Sequence, residues 1–143
     1  MSAMVTDIID TGTAQIELRV DGIIRITPRS GVHSTLPDSI KMFELIKELS
    51  QGRPALILND FTHSPQISVD RDARQHTASP EVANQVGAFA MLINSPVGRM
   101  FGNFWMKVNR PPFKARIFTD EQEAIAWLLS VAGNGARDQY RKR

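Results

Sequence analysis

The sequence predicts an α/β domain: a mostly parallel sheet with an N-terminal antiparallel hairpin and helices packed on it, in the order ββαβαβαβα. Three observations predict this. Two uninterrupted apolar runs, Ala55-Leu56-Ile57-Leu58 and Ala88 to Ile93, read as parallel strands covered on both faces. A further strand, Lys114 to Phe118, runs straight into an amphipathic helix with the stripe Ala124, Ile125, Leu128, Leu129 and Ala132, flanked by Trp127. A period-two stretch, Ala14 to Val20, is followed by the turn pair Asp21-Gly22 and a return strand, Ile23 to Thr27.

Taken in order, residues 1–12 are expected to be a flexible N-terminal arm. The alternation of Ala14 to Val20 puts Ile16, Leu18 and Val20 on one face and Gln15, Glu17 and Arg19 on the other; Pro28 ends the return strand. A first strand at the rim leaves an edge open to pairing, which predicts a homodimer. Thr35 caps the first helix, with Pro37 in its first turn and Asp38 three residues past the cap. Met42, Phe43, Ile46 and Leu49 give its core stripe, and Gly52 stops it. Between Phe61 and Ser79, Ser68 is a candidate cap for a short helix through His76, and Ser79-Pro80-Glu81 starts another.

Ser95-Pro96 is a cap plus first-turn proline. Val97, Met100, Phe101, Phe104, Trp105 and Val108 then recur at helical spacing, so this helix is expected to bury its aromatic residues. Gly98 and Gly102, one turn apart, suit close approach by another backbone. Pro111-Pro112 breaks the helix. Thr119 and Gln122 have capping-box spacing for the last helix, and Asp120 and Glu121 suit its positive end. Gly133 and Gly135 release residues 134–143 as a flexible basic tail. One domain, 13–133, remains, and its three strand–helix–strand passages should be right-handed crossovers.

A chain of 143 residues is long enough for one substantial core. It has no cysteine, which removes disulfides, thiol nucleophiles and cysteine zinc sites from consideration. No apolar run approaches the roughly 20 residues of a membrane span. Residues 1–13 lack the basic and apolar regions of a signal peptide, so a cytoplasmic location is expected. The formal charge is +2, but the last seven residues hold four cations and one acid, leaving −1 on residues 1–136. A specific nucleic-acid partner needs a basic face on the fold and is not expected.

Ligands of open α/β sheets bind outside the carboxyl ends of the parallel strands. That places the candidate ligand- or partner-binding residues at Asn59, Asp60, Thr62, His63 and Ser64 after one strand, and at Asn94 and Ser95 after the next. Thr119 and Asp120 follow the last. The plainer roles are that Ser95 and Thr119 are caps and that Asn59-Asp60 forms a turn. His33, His63 and His76 have no metal-binding spacing. Asp70, Asp72 and His76 share a helical segment with Arg71 and Arg74, which reads as a solvated charged face. Neither a Gly-x-Ser-x-Gly elbow nor a phosphate-binding loop is present. No catalytic residue, metal or cofactor is therefore predicted. An enzyme using Asp60 with His63 is the least favoured reading, since nothing in the sequence orients the pair.

This order, with VANQVGAFAMLINSPVGRMFGNFW and then RIFTDEQEAIAWL, resembles the SpoIIAA-like proteins of the STAS/SEC14-type group, small bacterial domains related in fold to anti-sigma-factor antagonists. The resemblance implies a non-enzymatic regulatory or scaffolding domain that docks a protein partner at the strand-end surface. In the antagonists, a serine in an Asp-Ser-Ser/Thr-Gly type loop between the third strand and the second helix is phosphorylated. Here that interval runs from Asn59 to Pro65 and on to Ser68 without the pattern, so Thr62, Ser64 and Ser68 are phospho-acceptor candidates by position. The SEC14-like side implies instead a carrier of a lipid or other apolar ligand. Met91, Met100, Met106, Phe101 and Phe104 are the residue types for an adaptable apolar lining.

Overall fold

The computed structural model describes residues 5–63, 68–109 and 111–141. Six strands form one sheet in the order β1-β2-β3-β5-β7-β8: β1 Val5–Asp10, β2 Ala14–Arg19, β3 Ile23–Pro28, β5 Ala55–Asp60, β7 Val86–Leu92 and β8 Lys114–Phe118. The pairs β1–β2 and β2–β3 are antiparallel; β3–β5, β5–β7 and β7–β8 are parallel. Helices α1 (Leu36–Leu49), α2 (Arg71–Thr77), α3 (Pro80–Ala83) and α4 (Pro96–Asn109) fill the three crossovers, and α5 (Glu121–Arg141) follows β8. The two-residue strands β4 (His33–Ser34) and β6 (Ser68–Val69) pair in parallel beside the main sheet.

The strands' alternation divides the core into two layers. On one face Ile16, Ile24, Ile57, Phe89 and Met91 pack with Phe43 and Ile46 of α1, Val82 of α3 and Trp105 of α4. On the other, Ile23, Leu58, Ala88, Ala90 and Phe118 pack with Ala124 and Leu128 of α5. Both faces of β5 and β7 are thus covered, which is why these strands are apolar without alternation. The α/β class, the antiparallel opening and the parallel remainder are as the sequence predicts.

Four local expectations are corrected. The N-terminal arm is not free: β1 pairs with β2 across a turn in which the Gly12 N–H donates to Asp10 Oδ1 at 2.8 Å and Thr11 N–H to Ala14 O at 2.9 Å. Gly12 takes φ 93°, a conformation that costs other residues energy. Ala14–Arg19 is therefore an interior strand, and the edge on that side is β1. Ser68 lies in β6, and α2 starts after Asp70. Asp120, not Thr119, caps α5: its Oδ1 accepts from the N–H groups of Gln122 at 2.8 Å and Glu123 at 3.2 Å. The last helix does not stop at the glycines but continues to Arg141, with Lys142 and Arg143 outside the described residues.

Helix α4 departs most from its periodicity. Its glycines meet the sheet, and of its large apolar residues with described side chains only Trp105 packs inward. A methyl group at Gly102 would stand 2.9 Å from Met91 Sδ and 3.2 Å from Ile117 Cδ1; one at Gly98 would stand 3.4 Å from Ile93 Cβ. A side chain at Gly102 would crowd Met91 and Ile117, and one at Gly98 would also meet Ser95 Oγ at 3.1 Å. Trp105 does pack inward, stacked on Phe89 at 5.4 Å between ring centres. Val97, Met100 and Phe104 are turned out, 59%, 72% and 59% exposed. The side chain of Phe101 lies outside the described residues.

Candidate functional site

At the carboxyl end of β5, Asp60 is 1% exposed and faces the α5 side of the sheet. Its Oδ2 receives Arg25 Nη2 of β3 at 2.5 Å, and its Oδ1 receives the Thr62 N–H at 2.9 Å and the Thr62 hydroxyl at 2.5 Å. The other Arg25 nitrogen donates to Glu121 in the first turn of α5. The network ties β3, β5 and α5 together with one guanidinium. Burial pushes the Asp60 carboxyl up, but the Thr62 hydroxyl and N–H and the Arg25 charge together hold it below the ordinary carboxylate range. Arg25 is destabilised as a cation by burial, and its bonds to Glu121 and Asp60 more than offset that. His63 stands 3.9 Å from Asp60 Oδ2, beyond hydrogen-bond reach, and is 73% exposed. Asp60 is committed to holding elements together.

The remaining predicted residues do not converge on one point. Ser95 caps α4: its Oγ accepts from the Gly98 N–H at 3.0 Å, and its carbonyl from the Arg99 N–H at 2.9 Å. Asn94 beside it is exposed. Ser64 and the side chain of Ser68 lie outside the described residues. Asp70 pairs with His33 at 2.5 Å, His76 bonds Ser39 Oγ at 2.8 Å, and Asp72 is exposed. Among the described residues no group of His, Asp and Glu is placed to hold a metal ion. Asn59 points the opposite way from Asp60, into a cavity of about 130 Å³ between the sheet and helices α1, α2 and α4. Its Oδ1 is buried and has no hydrogen-bond partner among the described residues.

Two features were missed in the sequence. The first is the outer face of α4, whose exposed stripe Val97, Met100 and Phe104 begins beside the Ser95 cap. The second is the charge around it. Between Val82 and Thr119 the chain has five cations and no carboxylate, and Arg99 and Lys107 of α4 are exposed. Averaging over the near-neutral body hides this stretch; a sliding count of charge finds it. Of the expected apolar lining, Met91 faces the cavity, whereas Met100 and Phe104 face outward and Met106 is not part of its wall.

Among the described residues no helix is long and apolar enough to cross a membrane. The fold is SpoIIAA-like. An uncharacterised protein of the DUF3478 family from Shewanella loihica PV-4 with a SpoIIAA-like fold matches with a TM-score of 0.53 at 14% identity, over 87% of this chain and 91% of that one. A protein of unknown function from Arthrobacter sp. FB24 is 26% identical over 90% of this chain and 93% of that one, with a TM-score of 0.30. No curated protein matches the chain. A family model for a domain of unknown function, DUF7793, matches residues 16–132, and the chain belongs to that family.

Proposed function

We propose that this is a cytoplasmic, non-enzymatic regulatory or scaffolding domain that docks a protein partner on the outer face of α4. The observation that supports it is the inverted helix: α4 gives its glycines to the sheet and leaves Val97, Met100 and Phe104 in solvent. Three large apolar residues at i, i+3 and i+7 form a ridge of the kind that seats in a partner's groove. Arg99 and Lys107 beside it, with no carboxylate anywhere on α4, favour an acidic partner. The ridge starts at Asn94-Ser95, so it extends the expected strand-end surface rather than replacing it.

Among the phospho-acceptor candidates, Thr62 is the one with described surroundings. Its hydroxyl donates to Asp60, and a phosphoryl group would bring about two negative charges against that buried carboxylate. Modification there would act by loosening the Arg25–Asp60 link. A photo-crosslinking residue at Met100 of the full chain, used in its own cells, tests the docking surface. The expected adduct is a protein with an acidic, apolar segment, formed less at high salt and lost with Phe104→Glu. A cross-link to a second copy would assign the ridge to a homodimer. Adducts at Met100 no more frequent than at exposed Lys41 of α1 would refute the docking role.

A further inference from the structure

We infer that the cavity on the other side of α4 is a separate binding site, for a compact and mostly apolar molecule about the size of one aromatic ring that offers a hydrogen-bond donor to Asn59. The inference does not depend on the docking surface. The cavity floor is Ile26, Ile57 and Met91 of the sheet; Phe43, Ile46 and Trp105 line it on the helix side. The wall is mostly apolar, with Arg29, Asp38, Ser39, Arg74 and Thr77 also on it, and β5 adds one amide to it at a position whose same-face neighbours are Ile57 and Phe61. An apolar residue there would complete the core. Asn59 instead leaves Oδ1 buried and unpaired, and buried acceptors are nearly always satisfied. Among the described residues Gln85 Oε1 is also buried and unpaired, but it is not in the cavity wall. Asn59 has both the missing bond and the room for the group that would make it.

Volume sets the ligand class. At about 130 Å³ the cavity compares with an engineered apolar cavity of roughly 150 Å³ that takes up benzene. A ring or a short branched chain fits, and a full acyl chain does not. An amide set among Ile26, Ile57, Phe43 and Met91 selects for a hydroxyl or amide on that ring, because a polar contact placed within a mostly apolar lining fixes orientation. A phenolic or carboxamide-bearing ring combines the two requirements.

The test is methyl NMR of the full chain labelled at methionine, with phenol and its donor-free analogue toluene as probes. Met42 and Met91 line the cavity and report binding there; exposed Met100 is the control. Phenol should shift Met42 and Met91 but not Met100, and bind about fivefold to tenfold tighter than toluene, as one net hydrogen bond gives. Asn59→Leu keeps the volume and should reduce that preference to about onefold while toluene still binds. Ala73→Leu, which fills the cavity from α2, should abolish binding of both. No shift at Met42 and Met91 with either probe would overturn the site. A phenol preference that survives Asn59→Leu would overturn the role of Asn59.

Discussion

Replacing Arg25 by Met should be the most damaging single polar change in the fold. Met keeps the unbranched stem and removes the guanidinium that serves Asp60 and Glu121. Glu121 is 38% exposed and returns to water at little cost, but Asp60 is 1% exposed and keeps its charge with Thr62 as its remaining hydrogen-bond partner among the described residues. Breaking a buried pair from one side costs about 3–5 kcal/mol, and the partial exposure of Arg25 argues for the lower end, about 3 kcal/mol. For 143 residues an unfolding entropy of roughly 2.1 cal/mol/K per residue gives about 0.3 kcal/mol per degree, so the midpoint should fall by about 10 °C. The pH dependence follows from Asp60 titrating below its ordinary value when folded. Its stabilisation is complete above the unfolded pKa near 3.9 and is lost as pH falls through the lower folded value. In the variant the carboxyl protonates more easily, so the gap to wild type should be flat near neutrality and narrow on acidification toward the lowered folded value of the wild type. Urea unfolding followed by fluorescence of Trp105 and Trp127 at pH 7 and pH 4 reads both quantities. A loss under about 1 kcal/mol at pH 7, or a gap that stays constant on acidification, would show that the network contributes no more than a surface pair.

Three further outcomes are expected. Ser95→Ala and Asp120→Ala should each cost about 1 kcal/mol in denaturant unfolding, the worth of a cap, while Thr119→Ala stays within about 0.5 kcal/mol. Gly102→Val should cost about 1–3 kcal/mol or more in a thermal melt, because its side chain would enter the space held by Met91 Sδ and Ile117 Cδ1. Met100→Glu with Phe104→Glu should leave stability within about 0.5 kcal/mol and sharply reduce retention on a hydrophobic column, since neither side chain is part of the core.

Five of the six strands of the main sheet were legible because their signals are local. Ala55 to Leu58 and Ala88 to Ile93 carry no alternation because helices lie on both sides of them, and that is written in the residues themselves. The Thr35–Asp38 and Ser95 helix starts were equally plain. The turn at Asp10 to Thr13 was overlooked because threonines flank its glycine in place of the usual Asn-Gly or Asp-Gly pair, so β1 read as an arm. The interchange of Thr119 and Asp120 at the start of α5 is a shift of one residue between two competent caps. The Arg25–Asp60–Glu121 network was out of reach for a different reason. Its members are far apart in sequence; the pairing of β3 with β5 brings Arg25 to Asp60, and the start of α5 adds Glu121.

Helix α4 and the charge around it mark the boundary more sharply. Periodicity says which positions are apolar; it does not say which side of the helix meets the sheet when two stripes compete. In α4 the competitors were a stripe of large residues and a stripe containing Gly98 and Gly102. Close backbone packing against Met91, Ile93 and Ile117 favoured the glycines. A glycine face gains contact through helix backbone that large side chains would hold away, and dispersion is lost steeply with even a small gap. The same geometry divides the acid-free stretch. Arg116 lies 5.0 Å over the ring of Phe118 on the α5 side of the sheet, whereas Arg99 and Lys107 ride on α4 on the opposite side. Five cations in one run of sequence therefore do not make one basic surface. What they make is an α4 face with apolar residues at its centre and positive charge at its side, and that arrangement follows from how the helix is rotated.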